Sequence, residues 1–272
     1  MIGQVQLLKQ IDKLIQENEL PRFIVITGKK GSGKKLVAHY IATKTHADEW
    51  TLPNNKIDTV RILIHEAYKH INPIVCILQD TDDMSNEAQN SLLKLTEEPP
   101  SNAVIIMTVQ DINNVLKTIK SRAFVLDTEP YTIEQLNEYV VSQYEGSDIY
   151  WELCDTPGEC DLLHKMGGPK FVEFVDKVVD SIGTVSTANS FKILDSLALD
   201  KDVDKGYDVT LFFKAVIRRC LQIAKETEDT IYVNMALSTG NRLSQLRIKG
   251  INKRMLVTTW ILDVRKLWTQ KN

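Results

Sequence analysis

The chain has 272 residues, 43% of them hydrophobic and 25% charged, with a formal net charge of -3. At about 150 residues per domain that length suffices for two domains or three small ones, and the balance excludes intrinsic disorder, collagen and coiled coils. No apolar run reaches the roughly 18 to 20 residues of a membrane span, and Met1-Ile2-Gly3-Gln4 lacks the regions of a secretory signal, so no membrane partner and a cytoplasmic location are expected.

Val5, Leu8, Ile11 and Ile15 recur at spacings of three and four, which predicts an amphipathic helix over 4–18. After Pro21 the β-branched run Phe23 to Thr27 reads as a buried strand, and Gly28 to Gly33 as a loop. Helical periodicity returns over 34–45 and 57–68. Ile74 to Leu78 is a second strand, 83–96 a helix halted by Pro99-Pro100, Ala103 to Val109 a third strand and Phe124-Val125-Leu126 a fourth. Strands alternating with helices predict an α/β fold with a parallel sheet and crossovers. From Thr132 to Tyr144 onward the pattern is helical, with further helices over 191–199, 209–226, 233–247 and 252–268, and a small-residue run at 183–188 reads as a linker. The expected division is a nucleotide-binding domain over 1–128, a helical lid over 129–185 and a helical collar over 186–272.

Cys76, Cys154, Cys160 and Cys220 form no CxxC pair and have no histidine at ligand spacing, so buried thiols are expected and neither zinc nor a disulfide framework. Residues 214–272 carry 12 Lys/Arg against 4 Asp/Glu, a charge of +8 that leaves -11 for the rest. Such a segment can face nucleic acid or an acidic partner, but solvated helix faces are the commoner reason for it.

Gly28-Lys29-Lys30-Gly31-Ser32-Gly33-Lys34 satisfies the first seven positions of the phosphate loop G-x-x-x-x-G-K-[ST], between a predicted strand and a predicted helix. The glycines let backbone N–H groups curl round phosphates, and the Lys34 charge meets the β- and γ-phosphates. The eighth position, whose hydroxyl should bind Mg²⁺, is Lys35, and an ammonium cannot ligate a cation. The partner motif is an apolar strand ending in Asp-Glu, the first acid holding Mg²⁺ and the second polarising the attacking water. Here Ile77-Leu78 is followed by Gln79-Asp80. The expectation is a pocket that binds ATP or ADP and hydrolyses it poorly, with little to hold Mg²⁺ and no metal site of its own. A register in which Asp80 itself is the metal ligand stays open.

Asn90-Ser91-Leu92-Leu93-Lys94-Leu95-Thr96-Glu97-Glu98-Pro99-Pro100 resembles the N-A-L-L-K-x-L-E-E-P-P segment of bacterial clamp-loader subunits, the AAA+ proteins that place sliding clamps on DNA. Ile2-Gly3-Gln4 is similar to that family's opening box near the adenine, Ile57-Asp58-Thr59-Val60-Arg61 to the helix before its second strand, and Thr118-Ile119-Lys120-Ser121-Arg122-Ala123 to its T-I-R-S-R-C. Asp82-Asp83-Met84-Ser85 stands where the family follows its acidic motif, which sets the Gln79-Asp80 register. The resemblance is dense from residue 2 to about 128 and thin beyond.

The resemblance implies a RecA-like AAA+ module and gives Arg122 the role of a finger pointing, in trans, into a neighbouring subunit's ATP site. It places Thr108 near the polar sensor beside the γ-phosphate, with Asp80 as the remaining acid. Thr156-Pro157-Gly158-Glu159 looks like the second sensor's P-G-R, with Glu159 in place of the arginine, and the family's zinc module is absent. An outgoing arginine beside a degenerate site is similar to delta-prime-type subunits. The implied partners are other clamp-loader subunits, the sliding clamp and primer-template DNA, the last met by helix N-termini such as the one near Asp83 to Ser85. A catalytically active clamp-loader ATPase and a stand-alone P-loop phosphotransferase are the alternatives.

Overall fold

The apolar runs form the strands that their composition predicts, and a fifth strand joins them. In the computed structural model, which describes residues 2–144, 152–199, 206–246, 248 and 250–269, β1 (Phe23–Thr27), β2 (Asp48–Thr51), β3 (Ile74–Leu78), β4 (Ala103–Val109) and β5 (Phe124–Asp127) make one parallel sheet in the order β2-β3-β4-β1-β5. Every residue of β1 and β3 is buried, which is why these strands read as unbroken apolar runs: helices cover both faces. Alternation then sorts their side chains. Ile24 and Ile26 join Leu7 and Ile11 of α1 (Val5–Gln16) and Val37 and Ile41 of α2 (Lys34–Lys44), whereas Phe23 and Val25 join Val60 and Leu63 of α3 (Ile57–Lys69) on the opposite face. Each such aliphatic side chain contributes about 1.5 to 3 kcal/mol when fully buried.

Two local expectations change. Strand β2, Asp-Glu-Trp-Thr, pairs with β3 at the sheet edge, where half-exposed polar residues hide it from hydropathy. The helix expected over 83–96 is a 3₁₀ turn at Thr81–Asp83 followed by α4 (Asn86–Ser91) and α5 (Leu93–Glu97). Ser85 caps α4 by accepting from the Ala88 N–H, and at Leu92 the N–H bonds back three residues to Gln89, tightening the helix for one turn. The short α6 (Lys117–Lys120) then leads into β5.

The chain divides into two units, Met1–Gln135 with Thr156–Gly158, and Leu136–Asp155 with Glu159–Asn272. The sheet belongs to the first. The helices that follow are α7 (Ile133–Gln143), α8 (Pro157–Lys165), α9 (Gly168–Ser181), α10 (Thr187–Ser190), α11 (Val209–Thr227), α12 (Thr230–Gln245) and α13 (Lys253–Thr269), with a 3₁₀ segment at Phe191–Ser196 where a helix over 191–199 was expected. Arg247, at the end of another expected helix, lies outside the described residues. In the second unit α11 packs against α9 and α12, and Phe212, Phe213 and Trp260 meet ring to ring at its centre. The Trp260 indole N–H donates to Thr239 Oγ1 at 2.9 Å, which satisfies the one polar atom it buries. The 183–188 run is held in place: the Arg265 guanidinium donates to the carbonyls of Ile182 and Val185 and to Ser190 Oγ at 2.9, 2.6 and 2.7 Å.

All four cysteines are free and buried, and burial pushes the Cys76 and Cys220 thiols up to about 12. Among the described residues no helix is long and apolar enough to cross a membrane. Part of the basic segment's charge is paired inside its own unit. Lys214 pairs with Asp155 and Glu159, Arg218 with Glu152, Arg219 with Asp176 and Arg242 with Asp263.

Candidate functional site

Strand β1 delivers the chain to its carboxyl end at Thr27, and three glycines with positive φ then turn it into α2: Gly28 at 149°, Gly31 at 76° and Gly33 at 89°. Gly33 caps α2 without a side chain, so the helix's leading N–H groups face outward as an anion site. Gly28 also serves a close approach. A Cβ there would lie 1.8 Å from Thr128 Oγ1, at the end of the neighbouring strand β5. Thr128 Oγ1 donates to Ser32 Oγ at 3.0 Å and Tyr131 OH donates to the Ser32 carbonyl at 3.0 Å, so Ser32 is buried as an anchor of the loop.

Lys34 is only 5% exposed, and its Nζ donates to the carbonyls of Gly28 and Lys29 at 2.8 and 2.9 Å. Desolvation holds its pKa below the ordinary lysine value, while the Asp80 and Asp82 carboxylates act in the opposite sense. The loop therefore encloses a cation that has no full counter-charge, as a polyphosphate site requires. Lys35 is exposed.

The second-sensor-like segment lies on this loop. Thr156 Oγ1 donates to the Lys30 carbonyl at 2.9 Å, and the Gly158 N–H donates to the Gly31 carbonyl at 3.1 Å. Gly158 approaches so closely that an added Cβ would sit 2.5 Å from Gly31 Cα. The opening box is fixed too. The Gln4 side-chain amide exchanges two hydrogen bonds with the Glu129 backbone, at 2.9 and 2.7 Å, and Gly3 lies against the Tyr131 ring.

At the carboxyl end of β3, Asp80 adopts a left-handed conformation, φ 48° and ψ 52°, and its N–H donates to Thr108 Oγ1 at 2.9 Å. Thr108, buried at the end of β4, also accepts from Thr81 Oγ1 through its carbonyl. Asn55 Nδ2 donates to the Gln79 and Asp80 carbonyls at 2.8 and 3.1 Å. The Gln79 Nε2 is buried without a hydrogen-bond partner, and an amide nitrogen is no ligand for a cation. The cradle fits phosphates: glycines where a Cβ would clash, open helix N–H groups and a buried ammonium. For Mg²⁺ the two expected positions supply no charged oxygen: Lys35 has an ammonium and Gln79 only a neutral amide oxygen, which leaves Asp80 as the adjacent carboxylate.

Gly28, Gly31, Ser32, Gly33, Lys34, Asp80 and Thr108 thus share the carboxyl edge of the sheet, where ligands of open α/β sheets bind. Arg122 does not. It precedes β5, which runs parallel to β1 with Ile24 opposite Phe124 and Thr27 opposite Asp127. Arg122 stands in a turn two residues before β5, whose four residues carry the chain from Phe124 to Thr128, roughly 13 Å at about 3.3 Å per residue. On that amino edge its Nη2 meets Glu97 Oε1 at 2.6 Å, and Nη1 donates to the Thr118 carbonyl. In the second unit Glu159 accepts from Lys214 Nζ through both oxygens at 2.8 Å and from the Asp155 N–H at 2.7 Å. Asn55, Thr128 and Tyr131 are absent from the sequence reading. Thr128 and Tyr131 were findable as the first polar residues past a strand that neighbours β1; Asn55 carries no local signal.

The family described as "DNA polymerase III, delta subunit" matches residues 53–132. The DNA polymerase III subunit gamma/tau of Mycoplasma genitalium is 23% identical over 79% of this chain and 40% of its own length. The replication factor C small subunit of Natronomonas pharaonis is 22% identical over 55% of this chain and 50% of its own. The chain thus spans half or less of the length of these curated relatives. A gamma subunit-related protein of Thermotoga maritima superposes with a TM-score of 0.51 at 18% identity, covering 95% of this chain and 99% of that one. RuvB from Thermotoga maritima gives 0.51 at 16% identity over 95% and 88%. At such identities the superpositions establish the fold alone. Sequence matches and fold together support a AAA+ subunit of the clamp-loader type.

Proposed function

We propose that the chain works in DNA replication as a delta-prime-like subunit of a sliding-clamp loader, in the cytoplasm, with a nucleotide site that holds ATP or ADP but hydrolyses it poorly. Its catalytic contribution is Arg122, supplied in trans to a neighbouring subunit. The position of Arg122 carries this reading: it stands at the sheet edge opposite the chain's own phosphate loop, farther from it than any side chain reaches, so a phosphate that it touches belongs to another chain. Residues 129–185 then act as lid and 186–272 as collar, and the partners are the other loader subunits, the clamp and primer-template DNA.

Nucleotide, when bound, lies on the Gly28 to Gly33 backbone with Lys34 at its β- and γ-phosphates. Asp80 and Thr108 hold the turn beside it. The poor magnesium donor set supports weak hydrolysis, and Glu159, engaged by Lys214, supplies no phosphate-facing charge. A second reading keeps Asp80 as a metal ligand in an active ATPase, favoured by its charge acting on Lys34.

Reconstitution with partner subunits and primed DNA tests both. Arg122→Ala should lower ATP hydrolysis by the complex by about 10³-fold or more, the scale of trans-acting arginines elsewhere. It should cost the isolated chain no more than about 1 kcal/mol, because its pair with Glu97 is half-exposed. Unimpaired hydrolysis by the complex removes the trans role. Steady turnover by the isolated chain, lost in Lys34→Ala, establishes the active-ATPase reading instead.

A further inference from the structure

Arg122 has a companion. Strands β1 and β5 pair from Ile24 and Phe124 onward, and Arg22 and Arg122 each stand two residues before those positions, at the amino edge of the sheet. The two line one cleft of about 500 Å³, and the only other charged residue on its walls is Glu97, which leaves the lining with a net charge of +1. Phe23, Pro99 and Phe124 supply apolar walls that weaken solvent screening.

Arg22 is exposed, and its Nη1 donates to the Pro100 carbonyl at 2.9 Å, a contact that orients the guanidinium without neutralising it. Arg122 spends donors on Glu97 and Thr118. Two like charges on one cleft lining with a single carboxylate are short of negative charge. Each guanidinium has five N–H donors, so both retain unused ones. Planar forks of this kind match phosphate oxygens bidentately, and a phosphate chain presents several such acceptors close together.

We propose that Arg22 acts with Arg122 as a second donor to the terminal phosphates of the nucleoside triphosphate held by a neighbouring subunit. The inference rests on the trans role proposed for Arg122 and adds a residue that no motif singles out.

Full-length chain carrying Arg22→Ala, Arg22→Lys or Arg122→Ala, reconstituted with its partner subunits, tests it through ATP turnover per assembled complex. Arg22→Ala should lower kcat by at least about tenfold, the effect of losing one charge-assisted hydrogen bond. Arg22→Lys should recover less than half of the loss, because an ammonium lacks the fork. Melting of the isolated variants should stay within about 2 °C of the parent, as for surface changes generally. If Arg122→Ala leaves turnover intact, the trans role itself fails. If Arg122→Ala abolishes turnover while Arg22→Ala does not change it, only the present inference falls. Reduced assembly with unchanged turnover per complex also overturns it, and makes Arg22 a contact to a neighbour's acidic side chain.

Discussion

Gly158→Ala probes the contact between the second-sensor-like segment and the phosphate loop. The new Cβ would lie 2.5 Å from Gly31 Cα, against about 3.5 to 4.0 Å for carbons at rest. Both partners are backbone, and Gly31 is already committed to a positive φ, so neither yields cheaply. The segment must retreat by about 1 Å or more, which overpacks the junction at a cost of about 1 to 3 kcal/mol. The hydrogen bonds from Gly158 N–H to Gly31 and from Thr156 Oγ1 to Lys30 then weaken, at about 0.5 to 1.5 kcal/mol each. Together these give about 2 to 6 kcal/mol for the first unit. Calorimetric unfolding should show that loss, with ADP affinity measured on the same variant falling several-fold, because the Lys30 and Gly31 carbonyls are no longer held before the ligand arrives. Parental melting and parental ADP affinity together would refute the packing argument.

Gly240→Ala makes the contrasting case: a Cβ there meets nothing within 4 Å in the interior of α12, so the second unit should gain about 0.5 to 1 kcal/mol in the same calorimetry. Lys214→Met removes the partner of Glu159 and Asp155 and should cost about 2 to 3 kcal/mol, read by urea denaturation. Desolvation pulls the Lys214 pKa down, but the bonds from Asp155 and Glu159 outweigh it and the net shift is upward from 10.5. A raised lysine stabilises fully below its unfolded value, so the parent should lose this contribution only as pH climbs past about 10.5, and Lys214→Met should lack that part of the alkaline decline. Lys34→Met should abolish ADP binding by calorimetry while raising the melting temperature of the ligand-free chain, since desolvation makes its buried charge a cost at neutral pH. A lowered melting temperature would mean that the bonds to Gly28 and Lys29 outweigh that cost.

Strands β1, β3 and β4 were legible in the sequence to the residue, because a strand buried on both faces must be apolar throughout, and that demand is local. The turn from Gly28 to Gly33 was legible for a similar reason: its glycines answer to backbone conformation within one turn. That Lys35 and Gln79 carry no negative charge was readable as side-chain chemistry alone. Strand β2 was not, since an edge strand of Asp-Glu-Trp-Thr is defined by its pairing with β3 and not by its own hydropathy. Likewise the break at Leu92 depends on which carbonyl its N–H reaches.

Tertiary structure alone decided what stands beside what. Gly158 touches Gly31 across 126 intervening positions of chain, and Thr156 reaches Lys30 by the same approach. Arg22 comes to line one cleft with Arg122 because β5 adds in parallel next to β1, which brings the chain before each strand to the same edge of the sheet. The basic segment, whose charge fits solvated helix faces more commonly than a face for nucleic acid or an acidic partner, spends Lys214, Arg218 and Arg219 on acids at 152–180 within its own unit. Residue types disclose which chemistry is available, and only the packing of distant elements determines which groups are already satisfied and which remain for a partner.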